Sequence, residues 1–234
     1  MKFYFSLLLL GLFSITIAFS QSVATPDSLI NRISDSLIKK SSAGYAKNIR
    51  DSVVKKVRDS LFWADLGKTA IYPVIKNSKW SGVFPVRNVT EKPDTTMKYK
   101  LLFNMTLWPK DSAGRRNLNE GLAEIGRIIN LHVASGVPRE NLELAIVIHG
   151  GALNTYLKNE AFHKKFNTDN PNLDILKQFT GLHTSLMACG QAEIFFRIPE
   201  EDMIPDVKTA FSAQVVLSSY QLKGYVLYNI EEEK

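Results

Sequence analysis

Apolar and polar positions follow two different patterns along the chain. From Tyr99 onward, apolar runs of strand length alternate with segments of helical periodicity, at 101–105, 144–148, 184–188 and 225–230. Continuous apolar runs of this kind are typical of strands buried on both faces of a parallel sheet. The pattern therefore predicts an α/β domain over 99–234, with a small, mostly parallel sheet and helices on both faces.

Helices are predicted between these strands. Residues 117–134 place apolar side chains on one helical face and are followed by Gly136, a favourable residue for ending a helix. A helix over 152–166 follows the second strand, and a shorter one over 173–179 precedes the third. The last predicted helix begins at residue 204 or 205 and ends at residue 220.

The segment 21–67 is polar and shows no strand-like alternation. It repeats a short Asp-Ser-apolar unit, and its apolar residues form two narrow helical stripes. The stripes predict two amphipathic helices, broken near 41–44, which dock on the main domain or pair with the same helix of another subunit. A poorly ordered leader remains the alternative. Residues 68–98 combine prolines with aromatic side chains and are interpreted as an irregular lead-in arm.

The first twenty residues have the features of a signal peptide. Lys2 precedes an apolar run that ends near Ala18, and Ser20 offers a small residue where a signal peptidase would cleave. The run is shorter than a membrane-spanning helix requires; an uncleaved anchor is the alternative. Cleavage would leave no integral membrane segment, so we expect a bacterial protein that is exported, either periplasmic or secreted.

The composition of the chain argues against several kinds of partner and site. The net charge is +6 without any run of like charges, which gives no reason to expect nucleic acid as a partner. A single cysteine excludes an internal disulfide and any site built on paired cysteines. The four histidines lack metal-ligand spacing, and no glycine-rich nucleotide motif occurs, so neither a metal nor another cofactor is predicted.

Two polar, glycine-containing turns follow predicted strands. Parallel strands bring such turns to one edge of the sheet, where ligands of open α/β folds bind. In the second turn, a helix beginning near its last residue would direct backbone N–H groups at the cysteine sulfur and favour the thiolate. A small buried hydrophobic role is the alternative for this cysteine. The predicted site comprises His149, Gly150, Gly151, Cys189, Gly190 and Gln191.

The order of these parts, from the opening strand through the His149 and Cys189 turns to the closing segment at Tyr225, resembles the DsrE/DsrF-like family of small sulfur-relay proteins, which includes the YchN-like and Tus-type proteins. The resemblance extends over residues 99–230, about three fifths of the chain. It implies a DsrE-like, flavodoxin-like three-layer fold. Export and the helices of 21–67 depart from the minimal family domain.

The resemblance also implies a function. Cys189 would be the catalytic cysteine, accepting a sulfane sulfur as a persulfide and passing it to the thiol of a partner protein, in a domain that assembles into trimers or hexamers. The other turn residues would line the pocket. The alternative is an exported, non-catalytic module that binds a ligand or supports assembly on the same fold. The two hypotheses differ in whether the protein is an enzyme, which the exposure and acidity of Cys189 would decide.

Overall fold

The computed structural model describes residues 43–76 and 79–231. The chain divides into two units between Leu66 and Gly67. The described part of the first unit is a single helix, α1 (Ala43–Gly67), where the second of the two N-terminal helices is predicted. The predicted signal peptide and the first helix lie outside the described residues. Within the described ranges, no helix is both long enough and apolar enough to span a bilayer.

The second unit is built on a sheet of five parallel strands. The strand order is β4-β3-β2-β1-β5, so the first strand of the chain lies inside the sheet and the last one pairs beside it. The prediction of an α/β domain with a parallel sheet is confirmed. The strands are β1 (Tyr99–Met105), β2 (Leu142–Ile148), β3 (Ser185–Cys189), β4 (Val207–Ala210) and β5 (Val226–Ile230).

Helices connect and cover these strands. Right-handed crossovers place the helices between β1 and β4 on one face, and the helix that returns from β4 to β5 on the other face. The returning helix contacts β1, β2, β4 and β5. The helices of this unit are α2 (Glu120–Ala134), α3 (Asn159–Phe166), α4 (Leu173–Thr180), α5 (Gly190–Phe196) and the returning helix α6 (Ala213–Leu222).

The central strands are buried on both faces. Leu102 and Phe103 of β1 and Ile146 and Val147 of β2 are fully buried although neighbouring side chains on a strand point to opposite faces. This burial explains why the strands read as continuous apolar runs rather than alternating ones. It also fixes the register, because a slip by one residue would exchange the side chains that face the two helical layers.

One buried side chain of α2 makes four hydrogen bonds to the lead-in arm. Asn130 Oδ1 accepts hydrogen bonds from the amides of Val74 and Ile75 at 3.0 and 2.9 Å. Its Nδ2 donates to the carbonyl oxygens of Ile75 and Ser81, both at 2.8 Å. Gly126 permits the close approach, since a Cβ there would lie 2.8 Å from Ser81 Oγ. The arm is irregular, yet its backbone is held by specific bonds.

The predicted helix over 152–166 is wrong in its first half. Gly150–Tyr156 forms a 3₁₀ helix, and α3 begins only at Asn159. The break is held from outside the segment, because the Lys158 amide donates to the Asp202 carbonyl and the Ile204 amide donates to the Tyr156 carbonyl. These long-range backbone bonds replace the helical bonds that local periodicity suggests.

The predicted helix over 204–220 is also wrong at its start. Val207–Ala210 forms the edge strand β4, and α6 begins at Ala213. Ser212 is the N-cap of α6, and its side chain accepts a hydrogen bond from the Val215 amide at 3.3 Å. Ser212, a favourable N-cap residue inside the predicted helix, is the sequence signal for the later start.

Candidate functional site

The two predicted turns meet at the carboxyl edge of the sheet. Ile148 and Ala188 are register partners at the ends of β2 and β3, so the next residues, His149 and Cys189, are neighbours across the two strands. The His149 backbone is extended and its amide donates to the Met105 carbonyl, which carries the β2 geometry one residue beyond the strand. The expectation that parallel strands bring the turns together is realised in the backbone.

Cys189 lies buried at the end of β3, with 4% of its surface exposed. Its Sγ accepts a hydrogen bond from the backbone amide of Ala213 at 3.3 Å. The predicted source of this amide is wrong: Cys189 caps α5, but its side chain accepts no capping bond from that helix. The donor is instead the first amide of α6, a ten-residue helix whose positive end faces the sulfur.

His149 begins a chain of polar contacts that crosses the sheet. Its Nε2 lies 3.0 Å from Asn104 Oδ1 on β1. Asn104 Nδ2 donates in turn to Asn229 Oδ1 on β5 at 2.9 Å. Burial lowers the pKa of His149 below its ordinary value, because removal from water penalises the charged imidazolium. The imidazole is therefore neutral at neutral pH.

The side chains of Cys189, His149, Asn104 and Asn229 share one face of the sheet. Asn104 pairs in register with Val147 and Asn229, and Val147 pairs with Met187. His149 and Cys189 stand two residues beyond Val147 and Met187, and alternate residues of a strand share a face. This is the face that α6 covers, since the Ala213 amide reaches Cys189 there. We call these four residues the polar row.

The glycines of the two turns have structural roles. A Cβ on Gly151 would lie 2.9 Å from the indole ring of Trp108, and one on Gly190 would lie 2.8 Å from the Ala210 carbonyl oxygen. Gly150 has a φ of +62°, which favours glycine. Gln191 Nε2 donates to the Phe211 carbonyl at 3.3 Å and so links α5 to the loop before α6. These residues shape the edge around Cys189.

Exposed apolar side chains lie on the two segments that adjoin Cys189. Ile194 and Phe195 on α5 are 76% and 78% exposed, and Phe211 in the loop before α6 is 80% exposed. The two segments adjoin, because Gln191 bonds the Phe211 carbonyl and Thr209 Oγ1 donates to Glu193 Oε1 at 2.9 Å. We call Ile194, Phe195 and Phe211 the edge patch. Large exposed apolar side chains grouped in this way mark surfaces that contact other molecules.

Two grooves lie away from the predicted pocket. One, of about 560 Å³, is at the amino ends of β2 and β3 and includes Arg139 and His183. The other, of about 1010 Å³, runs between α2 and β5 and includes Asn229 of the polar row. Among the described residues, no group of three or more histidine, cysteine or acidic side chains could hold a metal ion.

Three groups beside Cys189 and His149 are not identifiable from the sequence: Asn104, Asn229 and the Ala213 amide. The asparagines sit inside apolar strand runs, where a lone amide gives no sign of which face it occupies. Their pairing depends on the β1–β5 register, which joins residues far apart in the chain. The position of Ala213 depends on β4, which was not predicted. The sequence signal for the two asparagines is a polar residue near the end of an otherwise apolar run.

The fold and the site define an α/β protein with a five-stranded, all-parallel sheet and a cysteine at its carboxyl edge. The chain is similar in structure to MTH1491, a protein of unknown function from Methanobacterium thermoautotrophicum. The two share 15% sequence identity with a TM-score of 0.40, over 56% of this chain and 98% of that one. No protein-family model and no curated protein matches the sequence.

Proposed function

We propose that this protein is a DsrE-like persulfide carrier in which Cys189 accepts a sulfane sulfur and passes it to the thiol of a partner protein. The observation that carries the proposal is the hydrogen bond from the Ala213 amide to Cys189 Sγ. An N–H group at the positive end of a helix stabilises a thiolate more than a thiol, and the thiolate is the nucleophile in sulfur exchange. The sequence resemblance supports the same role.

The transfer needs no oxidant. The Cys189 thiolate attacks the outer sulfur of a donor persulfide, R–S–SH. A new S–S bond forms on Sγ while the donor S–S bond breaks, and the donor leaves as the thiolate R–S⁻. A thiolate of the acceptor protein then attacks the outer sulfur of the Cys189 persulfide and regenerates the Cys189 thiolate. One cysteine in this chain is sufficient for both steps.

Access to the sulfur requires a local opening, because Cys189 is almost fully buried. The covering loop contains the exposed Phe211 and the Ser212 cap, and it connects the four-residue edge strand β4 to α6. Phe211 is exposed whereas Ser212 and Ala213 are buried, and a segment this short can open locally without global unfolding. The proposal therefore includes opening of the loop 211–213 as the step that admits the donor.

The test uses the protein from residue 21 onward. It is incubated with a persulfide donor, and the mass of the intact chain is measured, with Cys189→Ser as the control. The proposal expects one added sulfur on the wild type, lost on adding a protein thiol, and none on the variant. A wild-type thiol that takes no sulfur, and resists alkylation until the protein is denatured, would overturn the carrier function.

A second function is favoured by a different observation. The near-complete burial of Cys189 beside the exposed edge patch fits a non-catalytic module that keeps the fold for assembly or ligand binding. In that case the sulfur is core packing, and the edge patch is the functional surface. Sulfur loading separates the two functions, because only the carrier takes up sulfur. The assembly module is expected to take up none and to bind its partner equally well with Cys189→Ser.

Two further proposals accompany the carrier function. The protein is exported to the periplasm or the exterior of a bacterium, as residues 1–20 predict, and it forms a homo-oligomer. The edge patch supports the second proposal, because it offers apolar area to another subunit. Recovery of the chain from the periplasmic fraction, with its N-terminus at residue 21, is the expected result for export.

A further inference from the structure

We propose that His149 is the proton acceptor for the Cys189 thiol, held in place by Asn104 and Asn229. The inference rests on the proposed function, because it assigns a base to the same sulfur. It goes beyond that function by giving the polar row a chemical role. The row then works as a nucleophile, a base and two positioning residues, the arrangement by which a weakly acidic nucleophile is activated.

The hydrogen-bond chain determines which ring nitrogen is free. Asn104 Nδ2 donates to Asn229 Oδ1, so the Oδ1 of Asn104 is the atom that faces His149. An amide oxygen only accepts, and Nε2 must therefore carry the proton. In the neutral imidazole Nδ1 is then the free acceptor. Asn104 and Asn229 fix the tautomer, as the orienting group does in other cysteine–histidine pairs.

The strand order determines where that acceptor faces. β2 lies between β1 and β3, and Nε2 of His149 faces Asn104 on β1. The edge of the ring that carries Nδ1 is therefore turned away from β1, toward the β3 side. Cys189 stands on that side, next to His149 across the two strands and on the same face. No hydrogen bond joins these two described side chains, so the proposed proton transfer requires Sγ to approach Nδ1.

The burial of His149 keeps its Nδ1 without a proton. Burial alone lowers the pKa of His149, and no charged side chain of the described residues contributes to that shift. The ring is consequently unprotonated at the pH where a thiol must lose its proton. In the proposed step the proton moves from Sγ to Nδ1, the thiolate attacks the donor persulfide, and the imidazolium returns the proton to the leaving donor thiolate. The sum is Cys–SH plus R–S–SH giving Cys–S–SH plus R–SH.

The first test is the pH profile of the only thiol in the chain. Alkylation of Cys189 by a small neutral reagent is followed from pH 5 to 10 in the wild type, His149→Gln and the matched control His163→Gln, whose histidine is exposed. The inference expects at least a tenfold loss of rate at pH 7 and an alkaline displacement of the profile in His149→Gln alone. Identical profiles for wild type and His149→Gln would overturn it.

A second test does not depend on sulfur transfer. The imidazole of His149 is titrated by NMR in the wild type, Cys189→Ser and Asn104→Leu. Ionisation of a thiol beside the ring changes the environment of the imidazole, so the wild-type His149 resonances are expected to show a second, alkaline step that is absent in Cys189→Ser, and Asn104→Leu is expected to lose the Nε2–H tautomer signature. A wild-type His149 titration that matches Cys189→Ser throughout would overturn the inference.

The two tests keep this inference separate from the carrier function. Sulfur loading of Cys189 with unchanged behaviour in His149→Gln would leave the carrier function standing and remove the base. Coupled titration of His149 and Cys189 without sulfur loading would support His149 as the base and overturn the carrier function. Circular dichroism of each variant shows that a loss of rate does not arise from unfolding.

Discussion

At the scale of single residues, buried amides carry much of the specificity of this fold. Asn130 satisfies four backbone groups of the arm, and Asn119 caps α2 by accepting from the amides of Gly121 and Leu122. The Asn119 cap involves local amides, whereas nothing in the local pattern around Asn130 reveals its partners. The role of Asn130 appears only when distant backbone segments are brought together.

The Asn130 contacts predict a large cost of substitution. Asn130→Ala leaves buried peptide groups of the arm without partners, so the free energy of unfolding is expected to fall by about 2 to 4 kcal/mol. Asn117→Ala is the control, because Asn117 is exposed and makes a bond only within its own turn. Urea unfolding of the two variants measures the difference, and equal losses would contradict the assigned role.

The lowered pKa of His149 predicts a pH dependence of stability. The unfolded imidazole titrates near 6.5, above the folded one, so the unfolded state binds more protons as the pH falls. The contribution of His149 is complete above about pH 6.5 and is lost as the pH falls through the pKa of the folded protein. Urea unfolding between pH 5 and 7.5 is expected to show a weaker pH dependence in His149→Gln, and equal slopes would be inconsistent with this expectation.

At the scale of elements, long apolar runs were predicted well and short elements poorly. β1 and β2 are seven residues each and could be identified from burial on both faces alone. β4 has four residues, of which Lys208 and Thr209 are exposed, and local periodicity assigned it to a helix. It is a strand because β3 offers it an edge to pair with, a property of the assembled sheet.

The cap of α6 controls how tightly Cys189 is covered. Ser212→Ala removes the bond to the Val215 amide and is expected to cost about 1 kcal/mol at the start of the helix. If the loop opens locally, alkylation of native Cys189 is expected to be about fivefold faster. Ser218→Ala is the matched control, since Ser218 is exposed on the same helix and bonds only the Gln214 carbonyl. Equal alkylation rates in the two variants would contradict loop opening.

At the scale of the whole molecule, the sequence predicts that the two turns of the candidate site lie together, but it does not reveal all of the residues beside them. His149 and Cys189 follow long strands, so the topology of a parallel sheet was enough to place them together. The faces of Asn104 and Asn229 depended on a register between the first and last strands. The amide that reaches Cys189 Sγ depended on an element that was not predicted. Local sequence patterns predict the long strands, whereas the other polar groups near Cys189 are brought there by pairing between distant strands.

The proposed homo-oligomer is tested through the edge patch. Light scattering of the chain from residue 21 onward is expected to give a multiple of the monomer mass, and Phe195→Glu with Phe211→Glu is expected to reduce it, because charges would be buried at the contact. Leu222→Glu is the control, since Leu222 is 89% exposed at the far end of α6. A monomeric wild type would contradict the proposal. An unchanged mass in the double variant would shift the contact to residues 21–67.

The pairing of β5 with β1 has a consequence for biosynthesis. Asn104 and Asn229 are separated by 125 positions, so a ribosome must make nearly the whole described domain before the second edge of β1 is covered. Until then β1 presents unpaired backbone and apolar side chains, the condition that leads to strand-to-strand aggregation. We therefore expect the unfinished chain to be prone to self-association until its last strand is released.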